Sequence, residues 1–352
     1  MAPRTYATLV APGLADFLGE WLDERGWVPA ANHTDWNLHW SYPVQPSRTF
    51  RALDDSRRIS HFPGIGPMVF KDEMYRHLVR AGRSDFLPRT FSMPDDLAAW
   101  REAVAADPDA IWISKRKWSG NGDGIAMVTD PDDVPTTEDW LIQEYIANPL
   151  LLAGHPSRHV IRVYVLITSL DPLVAYLHRS AMITFTSRPY SRDRSTLADP
   201  ITHITSAPIQ RGNTEVDDPL RSIDQVEYGR RLSESGIEPG ALWDDIRRLV
   251  TDTVVALSPP VLRLSSVISD RLDCCFELLG YDLVVDDELA VWLLEINKGP
   301  GIGATAGGGS SQQAQRRVKN AVVGDVLGMV GAAEPRWPVG LHAERFDVRS
   351  TA

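Results

Sequence analysis

Three oxygen-bearing side chains near the C-terminal end of the chain have the types and spacing to hold a hard cation. In "CFELLGYDLVVDDELAVWLLEIN" two apolar runs flank an acidic turn; Asp282 lies in the first run, Glu295 and Asn297 in the second. Side chains two apart on a strand share a face, so Glu295 and Asn297 point the same way. With Asp287 and Glu288 central in the turn, Asp282 falls opposite Leu293 and diagonal to Glu295, about 7–8 Å away at the backbone. Such an all-oxygen set suits Mg²⁺, which takes one or two carboxylates and completes its shell with phosphate and water. The alternative is a hairpin with one wet face and no ion. The flanking "LVV" and "VWLL" read as buried on both faces, where unpaired carboxylates are costly.

Further upstream, "WISKRKWSGNGDGIAMV" places Lys115 near a strand end, ahead of Gly120, Gly122 and Gly124. Glycines let backbone N–H groups approach phosphate oxygens closely, although a flexible hairpin loop has the same composition. The strand "LIQEYIANPLL", with Gln143 and Tyr145, exits into a polar stretch and suits either an adenine-binding hinge or an ordinary strand. Arg162, inside the apolar "HVIRVYVLI", needs an anionic partner. That partner is a ligand or a structural carboxylate. No nucleophile elbow, Cys/His zinc spacing or dinucleotide fingerprint is present.

The elements that must carry these residues follow from periodicity. Helices are expected over "GLADFLGEWLDERG", from about Lys71, from near Asp95, over "ALWDDIRRLVTDTVVALS" and over "QQAQRRVKNAVVGDVLGMV". Strands are expected at "AIWISKRKW", "AMV" and "WLIQEYI". A long strand at "HVIRVYVLITSL" should pair with "LVAYLHRSAMITF" across the turn at Asp171–Pro172. Residues 188–240 read as a loop-rich insertion or a mobile segment. Hairpins in place of regular βαβ alternation indicate an α+β fold with mostly antiparallel sheets.

Composition narrows the function classes. The 352 residues, 43% hydrophobic and 24% charged, suffice for two or three subdomains. A net charge of −11 argues against general nucleic-acid affinity. No apolar run approaches the ~20 residues of a membrane span, and the N-terminus lacks a signal-peptide pattern, so no membrane partner and a cytoplasmic location are expected. Cys274 and Cys275 are adjacent and read as packed thiols. Lysine is scarce, five of 36 basic residues (Lys71, Lys115, Lys117, Lys298, Lys319), so each retained lysine invites a reason.

Lysine on a strand, a glycine loop, a hinge strand and a distant Asp…Glu-x-Asn hairpin occur in the order found in ATP-grasp ligases. The blocks "HFPGIGPMVFKDEMYRHL", "FLPRTFSMPDD", "LIQEYIANPLLLAG", "IRVYVLITSLDPLVAYLHR", "HITSAPIQ" and "CFELLGYDLVVDDELAVWLLEIN" resemble, in order, those of the tubulin–tyrosine ligase-like family, from about residue 60 to residue 303. The resemblance implies an ATP-grasp fold in which two α+β subdomains, residues 67–148 and 149–352, clamp ATP and Mg²⁺, with a small N-terminal domain over residues 1–66. It implies activation of a carboxylate as an acyl phosphate and attack by an amine to form an amide. Lys71 and Lys115 resemble the phosphate- and adenine-side lysines, Gly120 to Gly124 the phosphate loop, and Gln143 with Tyr145 the adenine hinge. Arg162 matches the arginine near the γ-phosphate and reacting carboxylate; Asp282, Glu295 and Asn297 match the Mg²⁺ ligands. The loop from Lys298 to Gly303 is expected beside the reacting phosphate.

Several positions depart from the family pattern. "GHPSRHVIR" is two residues longer than the usual segment, with Arg158 at a lysine position and Val160 at an aspartate. Ser180 to Thr184 replace Glu-Gly-x-x-Arg, removing the arginine that handles the amino-acid carboxylate, and Ser206 replaces an asparagine. The expected function is therefore an amide ligase with an altered amine site, acting on a peptide, protein or small-molecule carboxylate and not on tubulin. The alternative is a degenerate relative that binds nucleotide or peptide without ligation.

Overall fold

The computed structural model describes residues 3–32, 34–118, 120, 122–216, 221–302, 309–331 and the strand 343–347. The N-terminal part alternates β1 (Thr5–Leu9), α1 (Pro12–Asp23), β2 (Val28–Pro29), β3 (Leu38–Ser41), α2 (Ser47–Arg51) and β4 (Arg58–Ser60). Two helices follow, α3 (Gly66–Val69) and α4 (Lys71–Arg80). Next come β5 (Thr90–Ser92), α5 (Leu97–Ala106), β6 (Trp112–Arg116), β7 (Ala126–Val128) and β8 (Trp140–Glu144). The remainder holds β9 (His159–Leu170), β10 (Leu173–His178), β11 (Met182–Phe185), α6 (Pro200–His203), α7 (Ala207–Gln210), β12 (Ser222–Asp224), α8 (Gln225–Glu234) and α9 (Pro239–Ile268). It closes with β13 (Cys275–Val285), β14 (Val291–Lys298), α10 (Ser310–Met329) and β15 (Ala343–Asp347).

These strands form two sheets. The small one runs β5-β8-β6-β7 and is antiparallel throughout. One face packs Met93, Trp112 and Ile142 on Trp100 of α5; the other holds Ile111, Ile113 and Tyr145 against Leu197 and Ile204. The large sheet is built on β9 and β13, and β4 joins it by pairing parallel to β13. The N-terminal strands thus continue the large sheet. β13 reads as an almost unbroken apolar run because it is covered on both faces.

Local sequence explains how α4 comes to rest over the hairpin. His61 is buried with φ 76°, a left-handed conformation unusual for a side-chain-bearing residue. Its Nδ1 lies 2.8 Å from Glu277 Oε1, its Nε2 2.7 Å from the Ser41 carbonyl, and its amide donates to Phe276 O at 2.7 Å. This knot pins the "HFPG" turn to β13, and α4 starts directly beyond α3. Both cysteines are free and buried.

Three expectations need correction. "LVAYLHRSAMITF" is two strands, β10 and β11, both paired with β9 and separated by the break at Arg179–Ala181. The helix expected to stop near Ser258 continues through Pro259 and Pro260 to Ile268; its buried face, including Val261 and Ser265, outweighs the two lost backbone donors. Residues 188–240 fold into short helices and a strand, anchored by buried Leu197, Tyr228 and Leu232, with 217–220 outside the described residues.

Candidate functional site

Side chains from the two sheets and α4 meet in one cluster. On the large sheet, Arg162 of β9 pairs across the ladder with Asp282 of β13, and Asp282 pairs with Glu295 of β14. Directly paired residues share a face, so these three form one row across three strands. Their alignment depends on a bulge. Leu283 faces Leu293, but Asp282 faces Glu295, leaving Leu294 as the extra residue. The diagonal placement expected from the turn is therefore corrected to a direct one.

Charged hydrogen bonds knit the row. Arg162 binds both carboxylate oxygens of Asp282, through Nε to Oδ1 and through Nη2 to Oδ2 at 2.7 Å. Asn297 Nδ2 donates to Asp282 Oδ2 at 3.1 Å and to Glu295 Oε1 at 2.9 Å. Lys71, the first residue of α4, places Nζ 3.3 Å from Glu295 Oε2. Gly280 makes room: a Cβ there would lie 2.9 Å from Arg162 Cδ and 2.8 Å from Pro300 Cβ. Sequence reasoning missed Gly280, whose signal is a glycine in the middle of an otherwise bulky strand.

The small sheet presents a second row. Gln143 pairs with Thr90 on one side and Ile113 on the other, and Lys115 pairs with Leu141. All five side chains therefore occupy one face. Lys115 Nζ donates to Gln143 Oε1 at 2.6 Å, and Gln143 Nε2 donates to Thr90 Oγ1 at 3.0 Å. A cleft lined by Lys71, Tyr75, Thr90, Lys115, Gln143 and Leu293 joins this face to the hairpin. Thr90 was not foreseen; nothing in "PRTFSM" marks it.

Electrostatics ties the rows together. Burial, aided by Lys71 and Arg158 and opposed by Glu295, lowers the Lys115 ammonium to about 8. Burial alone would raise the Glu295 carboxyl, but Lys71 and Lys115 hold it down at about 2. Burial pushes the Asp282 carboxyl up, against the pull of Arg162 and with help from Glu295. Lys319 of α10 is a further cation: burial and the like charges of Arg162 and Arg211 bring it down to about 8. Its rarity as a lysine was visible in the sequence, but its proximity to Arg162 was not. Arg162, Lys71 and Lys115 thus surround two carboxylates, with Lys319 close enough to Arg162 to feel its charge, an excess of positive charge suited to a polyanion.

The remaining sequence candidates lie around this centre. Arg158 donates to the Ile146 carbonyl at 2.6 Å and stacks over the Tyr145 ring at 4.3 Å. Tyr145 pairs with His203 Nδ1 at 3.2 Å, and its amide is taken by Ile111 O. In the glycine loop, Gly122 (φ 80°) packs so tightly that a Cβ would sit 2.2 Å from Ser206 Oγ. Gly124 (φ 66°) is crowded by Arg116, whereas Gly120 faces open space. Lys298 turns away from the carboxylates: its Nζ donates to Tyr42 O at 2.9 Å and lies 4.5 Å from that ring. Pro300, by contrast, borders Arg162, while Gly303 lies outside the described residues.

The donor set fits a small hard cation. Asp282 Oδ2 and Glu295 Oε1 converge on the Asn297 amide, and a half-turn of that amide exchanges its nitrogen for an oxygen. Among the described residues no group of three or more His, Cys, Asp or Glu side chains is placed to hold a metal. A cation here would lean on the amide and on ligand oxygens.

Comparison with known proteins agrees with this architecture. Residues 51–335 match the tubulin-tyrosine ligase family. The chain belongs to that family, within the ATP-grasp superfamily. It is 28% identical over 316 residues to the tubulin monoglutamylase TTLL4 of Mus musculus, covering 86% of this chain and 26% of the relative. Identity to the tubulin polyglutamylase TTLL5 of Mus musculus is 26% over 316 residues, covering 85% and 23%. To the tubulin polyglutamylase TTLL7 of Mus musculus it is 28% over 306 residues, covering 80% and 33%. The chain thus spans about a quarter to a third of the length of these relatives. Among the described residues no helix is long and apolar enough to cross a membrane.

Proposed function

We propose that the chain is an ATP- and Mg²⁺-dependent ligase that joins an amino acid or amine to a carboxylate of a peptide, protein or small molecule. The observation that carries this reading is the row Arg162–Asp282–Glu295, completed by Asn297 and faced by Lys71 and Lys115. ATP seats its phosphates among Lys71, Lys115 and the loop of Gly120, Gly122 and Gly124, with its base near Gln143, Tyr145 and Arg158. Asp282, Glu295 and Asn297 would hold Mg²⁺, which would supply charge neutralisation at the phosphates.

In the reaction an acceptor carboxylate oxygen attacks the γ-phosphorus and ADP leaves. The amine then attacks the acyl carbon, loses a proton and expels inorganic phosphate, leaving an amide. Arg162 neutralises the carboxylate and the charge that builds during transfer. The small sheet, within residues 67–148, and the part of the large sheet within residues 149–352 act as the two jaws, with the strands of residues 1–66 continuing the second.

The named relatives are tubulin glutamylases. For this chain we favour a different acceptor and an altered amine site, because Ser180 to Thr184 lack the family's carboxylate-handling arginine and the net charge of −11 offers little to an acidic tail. We place the activity in the cytoplasm, without nucleic-acid or membrane partners. One observation favours the second reading, a nucleotide binder without turnover: Arg162 engages both oxygens of Asp282. ADP release measured against pools of amino acids and peptides separates the two. Turnover with at least one pool supports the ligase; tight ATP binding with no turnover supports the binder.

A further inference from the structure

Away from the cleft, α4 and α9 flank an open groove of about 280 Å³. Glu73, Arg76, His77 and Arg80 recur at helical spacing and form one stripe on α4, on the side away from Lys71 and Tyr75. Pro260, Arg263 and Leu264 form the facing stripe on α9. Three arginines and a histidine therefore line one groove of a chain whose overall charge is −11.

Several helix arginines are paired with carboxylates one turn away, as Arg230 and Arg231 are with Glu227, Arg247 with Asp244, and Arg248 with Asp245. In the groove Arg76 reaches Asp72 at 2.9 Å, but among the described residues neither Arg80 nor Arg263 has a hydrogen bond or ion pair. Arg76, Arg80 and Arg263 border the same groove as His77, and burial together with the charges of Arg80, Arg263 and Arg76 lowers that imidazole. Glu73 is the one acid in the lining, and burial with Asp72 pushes its carboxyl up.

The walls are fixed before any ligand arrives. The Gly64 amide donates to Ser265 Oγ at 3.0 Å, and a Cβ on Gly64 would lie 2.6 Å from Leu264 Cβ and from Ser265 N. The turn leading to α4 is thus pressed directly against α9. Three like charges bordering one groove, between helices held in place, repel one another and are relieved by a bound anion. Guanidinium forks match phosphate and carboxylate oxygens alike.

We propose that the groove between α4 and α9 binds a small multivalent oxyanion, gripped by Arg80 from one wall and Arg263 from the other, with Arg76 and His77 alongside. The site is independent of the ligase reading, since none of these residues belongs to the cleft.

Titration calorimetry with inorganic pyrophosphate and, separately, citrate tests this on the full chain. The expected result is a saturable binding event for at least one of them that is retained in Lys115→Met and lost in Arg80→Ala/Arg263→Ala, which separates it from anion binding in the cleft. Binding should weaken about tenfold or more in Arg80→Ala and in Arg263→Ala, each losing a charge-assisted contact, and strengthen in Glu73→Gln. The tighter of the two probes identifies phosphate or carboxylate as the recognised chemistry. Equal binding by the wild type and the Arg80→Ala/Arg263→Ala double variant would overturn the assignment. So would loss of binding in Lys115→Met, or no saturable binding of either probe up to ~10 mM.

Discussion

Asp282 and Glu295 stand directly opposite each other across β13 and β14, because the bulge at Leu294 takes up one residue of the hairpin. Two carboxylates so placed repel unless cations or a metal intervene. Arg162 answers one and Lys71 the other. That division of partners gives each residue a separable expected effect.

Glu295→Gln keeps the shape of the side chain and removes its charge. ADP release should fall by about 10²–10³-fold or more, the scale of losing one group that stabilises transferring charge. Circular dichroism and thermal midpoint should stay near wild type. Retained turnover would remove Glu295 from the metal set.

Arg162 combines a structural and a chemical role. Arg162→Met leaves Asp282 largely buried without its cation and should cost about 3 kcal/mol of stability by denaturant titration. Arg162→Met/Asp282→Leu should recover most of that loss, since an apolar pair replaces a broken ion pair. Neither variant should turn over. An active double variant would show that the row is scaffold only.

Lys115 makes the pH dependence specific. Its ammonium, lowered to about 8, is charged below that pH and neutral above it. If the charged form receives ATP, kcat/KM for ATP falls as pH rises through about 8, because that ratio reports the free enzyme. The stability sign is opposite: the folded value lies below the unfolded one, so the cost of burying the charge is present below about 8 and fades as pH rises towards ~10. Lys319 titrates in the same range. The alkaline limb should vanish in Lys115→Arg and persist in Lys319→Arg.

The glycine loop separates close packing from mere freedom. Gly122→Ala forces a Cβ against Ser206 at a positive φ, whereas Gly120→Ala meets nothing. The former should raise KM for ATP about tenfold and the latter less than about twofold. Equal effects would place the loop away from the nucleotide.

Much of this site was legible in the sequence, for physical reasons that also mark the limits. Two-residue alternation puts Glu295 and Asn297 on one face whatever the rest of the chain does. The burial of "LLGYDLVV" follows from its lack of polar alternation. The bulge that brings Asp282 opposite Glu295 lies in the pairing between β13 and β14, and no local signal in either strand announces it. α9 outlasts Pro259 and Pro260 because its buried face is long, a tertiary effect that propensity misses. Lys319 and Thr90 reach the site through packing between elements distant in sequence.

The central claim is that the cluster couples ATP cleavage to amide formation. The most direct test is mass spectrometry of a mixed peptide pool incubated with Mg²⁺, ATP and isotope-labelled amino acids, with ADP measured in parallel. The account predicts peptides heavier by one labelled residue, in step with ADP, and absent in Glu295→Gln. ADP accumulating without any labelled peptide, or the same yield from Glu295→Gln, would contradict it.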